Sequence, residues 1–477
     1  MKVALINTPY LHVYGKANVG KNCSFPLGLG YIASFIRQSG HHVRLYDPEA
    51  EDISLESLYC QIENFQPDLI GITSVSSNYP NALAMVQGIR KKGMNVKMVY
   101  GGVHASAIPE RVLADAPGID VVVVGEGEHT VLELLENMEK GKPNLSEIKG
   151  ICYRKNGETQ RTPKRPFHVN VDEFPFPARD LLDLSNYRLH AHFDRGVKSA
   201  TILSSRGCPS SCTFCANLLT MGRRFRPHSP DYSIKEIKHL INDYGITHFH
   251  IVDDLFLADK ERARQICQRI IDEKLNIQWF IFGRVDNIDL EILRIMKKAG
   301  CFYILFGIES GDEEILKKMG KNVTLDQCRR ATELCDEVGI MVLNSFIIGN
   351  DGETHESVQR TINFAKELKS VFAAFSLMVP FVGTPIFNKY YKDMVNDIHN
   401  WQDWSSIADQ FSVEPKHTVL SNKELLQYTN KAYIAYYGRF SQIIRILHSL
   451  HSPRVLWIYL RGSVGIFRKL LTWRKHS

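Results

Sequence analysis

The chain has 477 residues, room for two to four domains at roughly 100–200 residues each. Its 44% hydrophobic and 23% charged content is that of an ordinary globular protein and excludes a disordered or fibrous chain. The net charge of +6 is uneven: eight of the Lys and Arg, and none of the Asp and Glu, lie in residues 439–477. The body is therefore near neutral, which excludes a uniform nucleic-acid-binding surface.

The opening run "MKVALINTPY" is too short for the apolar segment of a secretory signal. No run of about 18 apolar residues occurs, so no membrane-spanning helix is expected. Scattered cysteines without a signal predict a cytoplasmic chain with free thiols.

Over residues 1–138, β-rich runs ("KVALIN", "HVRLYD", "LIGITS", "VKMVYGG", "VVVVGEG") alternate with helix-period segments, two of them closed by Gly. This pattern predicts a doubly wound α/β domain with a parallel sheet, whose ligands bind at the carboxyl ends of the strands. Residues 139–198 are richer in Pro and Lys and read as a linker with one hairpin around "GICYRKNGETQR". Alternation resumes over 199–388, with strands "ATILSS", "THFHIVD", "QWFIFGR", "FYILFGI", "MVLNSFIIG" and "AFSLMVP". Six β/α units fall short of the eight of a TIM barrel, so a partial, open barrel is expected. Residues 389–477 read as a helical, aromatic and finally basic region.

The stretch "GCPSSCTFC" groups Cys208, Cys212 and Cys215 on a loop at the end of the first barrel strand. Thiolates select zinc or iron–sulfur clusters. A structural zinc normally takes four protein ligands, and the next cysteine in sequence is Cys267. Three thiolates suit a 4Fe–4S cluster with one iron left open to a substrate or cofactor. Three buried structural cysteines, or a zinc completed by a distant His, are the alternatives. Cys328 and Cys335, seven apart on a helical pattern, read as packing.

The Cys-x3-Cys-x2-Cys pattern, with Phe214 before its last cysteine, resembles the signature of radical S-adenosylmethionine (SAM) enzymes. The resemblance implies that the open iron chelates SAM and that an electron from the cluster yields a 5′-deoxyadenosyl radical. Other polar motifs fall at the ends of later barrel strands: Asp253 and Asp254, Arg284, Glu309 and Ser310, Gly349 to Glu353, and Pro380 to Thr384. By resemblance, "DDLF" takes the place of the SAM amino-group motif, "GIES" that of the ribose and carboxylate contact, and the fifth-strand segment that of the adenine contact. Taken alone, an Asp pair at a strand end reads as a helix cap.

In the front domain, "YGKANVGKN" at residues 15–22 and just before has the Gly-x4-Gly-Lys of a phosphate loop. Asn22 stands where Ser or Thr would hold magnesium, and no helix pattern opens at Lys21, which disfavours that reading. Instead, "FPLGLGYIASFIRQSGHHV", "GITSVSS" and "VYGGVHAS" resemble the cobalamin-binding domain of cobalamin-dependent radical SAM enzymes. The resemblance covers about residues 1–390 and implies a cobalamin lying against Ser74, Gly101 and Gly102. Small residues there let a bulky nucleotide tail approach the backbone. The cobalt-ligating Asp-x-His-x2-Gly is present only in part, as Tyr10-x-His12-x2-Gly15, so His12 reads first as a loop residue. Glu126 and Glu128 in "VGEGEH" either cap the next helix or face the domain junction.

The expected activity is radical methylation of an unactivated carbon, with a 4Fe–4S cluster, SAM and cobalamin as cofactors. An anaerobic oxidative cyclase is the alternative, and a non-catalytic iron–sulfur sensor a more distant one. Expected partners are a small-molecule, lipid-like substrate and a reductase or flavodoxin-type electron donor, with no nucleic acid. The tail places Arg454, Arg461 and Arg468 on one helical face among Trp457, Phe467 and Trp473, a pattern of peripheral binding at the inner membrane surface. The alternative is a helix packed on the barrel. Pro453, Gly462 and Gly465 interrupt either one.

Overall fold

A computed structural model describes residues 1–10, 24–141, 144–187, 197–404 and 413–449. His12, residues 15–22 and the tail beyond Ser449 lie outside the described residues. The front strands are β1 (Lys2–Asn7), β2 (His42–Tyr46), β3 (Leu69–Thr73), β4 (Lys97–Gly101), β5 (Val121–Val123), β6 (Ile151–Lys155) and β7 (Glu158–Arg161). The front helices are α1 (Leu27–Gln38), α2 (Leu55–Phe65), α3 (Tyr79–Lys91), α4 (Val103–Ala107), α5 (Pro109–Asp115) and α6 (Glu128–Glu139).

Successive strand residues point to opposite faces, and both faces are apolar because helices cover both. Val3, Leu5, Leu69, Val99 and Val121 pack against α1 and α6 through Ala33, Ile36, Leu134 and Leu135. Ala4, Ile6, Ile70, Ile72 and Met98 pack against α2 and α3 through Leu58, Ile62, Met85 and Ile89. The sheet order is β2-β1-β3-β4-β5-β6-β7. β1 to β5 are parallel, and β6 and β7 add as an antiparallel hairpin on β5. The hairpin read in the linker thus extends the front sheet. Ile151 and Cys152 are fully buried, while β7 is exposed throughout.

The second sheet contains β8 (Ser199–Ile202), β11 (His248–Ile251), β12 (Gln278–Gly283), β13 (Cys301–Glu309), β14 (Met341–Ile348) and β15 (Phe372–Leu377). A two-residue ladder, β9 (Ser205–Arg206) with β10 (Arg226–Pro227), stands beside it. The order is β15-β14-β13-β12-β11-β8, all parallel, so every strand delivers its carboxyl end to one face. The helices between strands are α7 (Pro230–Tyr244), α8 (Lys260–Asp272), α9 (Leu290–Lys298), α10 (Glu313–Lys318), α11 (Leu325–Val338) and α12 (His355–Glu367). Phe280, Tyr303, Leu343 and Phe372 fill the floor of the concave side. Beyond the sheet lie α13 (Pro385–Tyr390), α14 (Asn422–Tyr437) and α15 (Phe440–Ser449).

An open parallel sheet leaves an edge of unpaired backbone groups at β15, which needs cover. Helix α14 supplies it with tyrosines. The backbone N–H groups of Phe375 and Ala373 donate to the hydroxyls of Tyr433 (3.2 Å) and Tyr437 (3.1 Å). The Tyr437 hydroxyl donates back to the Ala373 carbonyl at 2.8 Å, and that of Tyr436 to the Ser370 carbonyl at 2.8 Å. The segment after α13 ties back to the front domain: Trp401 meets the His104 ring at 4.8 Å, and Arg111 donates to the Asn396 carbonyl at 2.6 Å.

The double variant Tyr433→Phe/Tyr437→Phe keeps the rings but strips the edge of its partners. It is expected to lose about 2–3 kcal/mol of stability in urea and to aggregate at lower denaturant than wild type. Unchanged midpoint and solubility would contradict the sealing role.

Candidate active site at the domain junction

The cysteine loop leaves β8 and is fixed from behind by the residues that end β11. Asp253 is fully buried, and its carboxylate accepts from the Ser204 backbone N–H (2.6 Å) and from the hydroxyls of Ser204 (2.7 Å) and Ser205 (2.6 Å). Asp254 accepts from the Gly207 N–H at 3.1 Å and from the Asn217 side chain. Burial, with the neighbouring Asp253 carboxylate, pushes Asp254 up to about 6. Arg262 donates to the Ser204 carbonyl at 2.5 Å. The middle of the loop is bracketed in turn. The Thr213 N–H donates to the Met319 carbonyl (2.9 Å) after α10, and the Thr213 carbonyl accepts from Ile386 of α13 (3.1 Å). Phe214 packs against Ile315, Met319, Met378 and Ile386.

Two cations approach Cys212. Arg284 Nη1 lies 4.0 Å from its Sγ, while the same guanidinium donates to the Lys321 carbonyl and to Asp286. Lys321, itself nearly buried, donates to Glu309 Oε1 at 3.1 Å. Burial pushes the Cys212 and Cys215 thiols up, and Lys321 and Arg284 pull Cys212 back down. Glu309 ends β13 at φ +72, beside a shift in its register with β14. A non-glycine residue there is strained by about 1–3 kcal/mol, a cost found where surroundings impose a functional geometry. Gly307 makes the arrangement possible, since a Cβ there would lie 2.2 Å from Glu309 Oε1.

The structure brings the predicted strand-end residues to one face but divides their work. Ser310 is fully buried; its hydroxyl pairs with Thr361 (3.1 Å) and accepts from the Asp312 N–H (3.2 Å). Glu353 is also fully buried and accepts from the backbone N–H groups of Gly349 and Asn350, closing the turn after β14 under Leu425 of α14. The side chains of Asp253, Ser310 and Glu353 are therefore spent on shaping loops. Cys208, Cys212, Cys215, Arg284 and Glu309 remain around the loop itself. Among the described residues no three His, Cys, Asp or Glu side chains converge closely enough for a single ion. Three neighbouring thiols on one loop, with Cys208 and Cys212 both acting on Cys215, are a donor set that fits a four-iron cluster. Cys267, Cys301, Cys328 and Cys335 are buried elsewhere in the core.

The front sheet presents its own carboxyl edge. The Ser74 hydroxyl pairs with that of Tyr100. Gly102 turns the chain at φ +99, and a Cβ there would meet Thr73 Oγ1 at 2.6 Å and the Ser74 carbonyl oxygen at 2.8 Å. Above Gly101 the space is open, the nearest atom to a Cβ being Val123 at 3.9 Å, and above Gly125 nothing lies within 4 Å. An uncluttered shelf of this kind fits a bulky cobalamin nucleotide. A cavity of about 140 Å³ follows between the end of β5, the linker and the turn after the cysteine loop, lined by Ser106, Gly125, His129, His168, Leu218 and Leu219 among others.

Sequence reasoning offered the acidic side of what joins the two halves but missed the basic side. Arg206 and Arg226, each about 2% exposed, reach across to Glu126 and Glu128. Arg226 grips both Glu126 oxygens (2.8 and 2.9 Å) and donates to the His168 and Met221 carbonyls. Arg206 lies 3.1 Å from Glu126 and 2.8 Å from Glu128, with its guanidinium 4.4 Å from the Phe174 ring and 4.8 Å from that of Tyr31. A second buried pair, Arg179 with Glu236 at 2.7 Å, ties the linker to α7. Of the two readings of Glu126 and Glu128, the junction holds. Neither side chain caps α6.

Glu126→Leu leaves two buried guanidiniums short of a carboxylate and is expected to cost about 3–5 kcal/mol in urea unfolding; a loss below about 1 kcal/mol would mean the junction is not held this way. Glu353 yields a pH signature. Burial raises it in the folded chain from 4.5 to about 7, so its contribution to stability is complete below 4.5 and disappears as pH rises through about 7. Measured against Glu353→Gln, wild type should lose roughly 2–3 kcal/mol between about pH 5 and pH 8. Parallel stability curves for the two proteins would refute it.

Comparison with known proteins agrees with this geometry. Residues 17–135 match the B12 binding domain family, and residues 202–365 match the Radical SAM superfamily. An uncharacterized methyltransferase of Pyrococcus horikoshii is 36% identical over 93% of both chains. A hopanoid C-3 methylase of Methylococcus capsulatus is 28% identical over 95% of this chain and 83% of its own. An anaerobic magnesium-protoporphyrin IX monomethyl ester cyclase of Cereibacter sphaeroides is 26% identical over 86% of this chain and 67% of its own. The fold is that of a radical S-adenosylmethionine methyltransferase of Kitasatospora setae solved with cobalamin and a [4Fe-4S] cluster, at a TM-score of 0.70, 18% identity, and coverage of 92% and 88%. The chain belongs to the radical SAM enzymes whose catalytic domain follows a B12-binding domain.

Proposed function

We propose that this protein methylates an unactivated carbon of a small molecule, using a cluster held by Cys208, Cys212 and Cys215. The observation that carries the reading is the near full-length identity of 36% to a methyltransferase. When bound, the cluster with SAM supplies a 5′-deoxyadenosyl radical and the cobalamin supplies the methyl group. The chain's own residues do the rest. Cys208, Cys212 and Cys215 would hold the cluster through their thiolates. Arg284 and Lys321 offset the thiolate charge, and Lys321 also fixes the Glu309 carboxylate at the edge of the SAM space. Asp254 keeps the loop's first turn in place, and Gly349 with Glu353 shapes the turn that would face the adenine. Arg206 and Arg226 hold the end of β5 in the front sheet against the start of the cysteine loop, so that the two cofactors, when bound, would be presented from adjoining sheet edges.

A hopanoid methylase among the relatives supports an apolar, lipid-like substrate; the electron donor proposed with it is a flavodoxin-type protein or reductase. No described helix is long and apolar enough to cross a membrane, and peripheral contact through the basic tail completes the reading. Oxidative cyclisation is the second reading, supported by the cyclase relative.

The test is anaerobic reconstitution followed by reduction with SAM labelled in its methyl group. Wild type should form 5′-deoxyadenosine and, with a cell extract, transfer label to an extractable small molecule. Release of 5′-deoxyadenosine with no label in any product would favour cyclisation. The triple Cys→Ala variant should bind no cluster and lose absorption near about 400 nm; full cluster content in that variant would overturn the ligand assignment. Gly101→Leu, which fills open shelf without displacing backbone, should reduce hydroxocobalamin retention on gel filtration on the order of tenfold while leaving cluster content intact. Undiminished retention would move the cofactor elsewhere.

A further inference from the structure

Helix α15 carries Phe440, Ile443, Ile444 and Leu447 at 77%, 45%, 38% and 55% exposure. Their spacing of three, four and seven residues puts all four on one face. Scattered apolar residues on a surface need no explanation, but a contiguous stripe on a single helix does. The opposite side is anchored. Gln442 is about 3% exposed and donates to the Ser370 and Val371 carbonyls. Arg439 donates to the Lys366 carbonyl, and Ile446 packs under the floor of the second sheet. The stripe is therefore presented outward by a helix whose inner face is fully committed. It does not belong to the reaction space, which lies at the other end of the strands.

Charge selects the occupant. From Arg439 to the last residue the chain carries eight Lys and Arg and no Asp or Glu. Pairing two copies through this face would bring two such segments together, with only body carboxylates such as Asp336, already matched to Arg445 at 3.0 Å, to relieve them. A nucleic acid would satisfy the charge but not four large apolar side chains. An anionic bilayer satisfies both, taking the apolar stripe into its interfacial zone while its headgroups attract the net positive charge that the sequence carries from residue 439 onward. We propose that α15 docks the protein reversibly on an anionic membrane surface, with Phe440, Ile443, Ile444 and Leu447 as the inserting face. The proposal goes beyond the reaction above and stands whether the product is methylated or cyclised.

The experiment is co-sedimentation of the full chain, prepared anaerobically with its cluster, with vesicles of phosphatidylcholine alone or mixed equally with phosphatidylglycerol. Wild type should bind the mixed vesicles, bind neutral ones far less, and be partly released by salt. Ile443→Gln/Leu447→Gln, at exposed positions, should lower partitioning on the order of tenfold with an unchanged thermal midpoint. Equal binding by the two proteins would overturn the proposal, as would equal binding to both vesicle types. Light scattering adds a third decisive result: a concentration-dependent dimer of wild type that the double variant abolishes would assign the stripe to self-association instead. Failure here leaves 5′-deoxyadenosine formation untouched, so the two readings fail separately.

Discussion

The pairing of Arg206 and Arg226 with Glu126 and Glu128 is the contact on which the arrangement depends. It is the place where the end of β5 in the front sheet meets the start of the cysteine loop. Burying four charges is expensive, and a hydrophobic junction of equal volume would be at least as stable. What the ions add is geometry. Arg226, gripping both oxygens of Glu126, fixes distance and angle together, while Arg206 is held in orientation by the Phe174 and Tyr31 rings. Arg206 stands two residues before Cys208, so the same side chain that ties down the front domain sets where the first thiol begins.

The loop beyond it is built on the same plan, with carboxylates behind and cations in front. Asp253 and Asp254 absorb the loop's backbone and hydroxyl donors, while Arg284 and Lys321 stand at Cys212. The loop's start is thus pinned from β11 by contacts that do not involve the thiols themselves. Glu309 belongs to this preparation too, its unusual backbone angle held by a buried lysine and by a glycine that clears its path.

How much of this was legible in the sequence follows from what each residue does. The strands and the two-domain alternation were readable because apolar period and glycine punctuation are local signals. The cysteines were readable because their spacing is a chemical demand. The junction arginines were not: in one sequence a buried Arg226 looks like Arg223 or Arg224 beside it, and only the folded chain distinguishes them. Lys321 was missed for the same reason, twelve residues from the Glu309 it meets. Asp253, Ser310 and Glu353 were read as cofactor contacts because they sit in the right motifs; what the sequence did not show is that their side chains also support backbone and neighbouring side chains. The hairpin at β6 and β7 was assigned to a linker because its Pro- and Lys-rich surroundings mask three buried residues, Ile151, Cys152 and Tyr153.

The tyrosine seal on β15 separates this barrel from one that closes strand to strand. A closed barrel fixes its girth by strand number and stagger, and changing it means refolding the sheet. Here one lip is made by the phenols of α14, and the other is bordered by Arg179 reaching the Thr201 carbonyl at 2.7 Å. Both borders are side chains. The aperture of the catalytic domain can therefore be recut one substitution at a time, on a scaffold whose hydrogen-bonded strands never have to change.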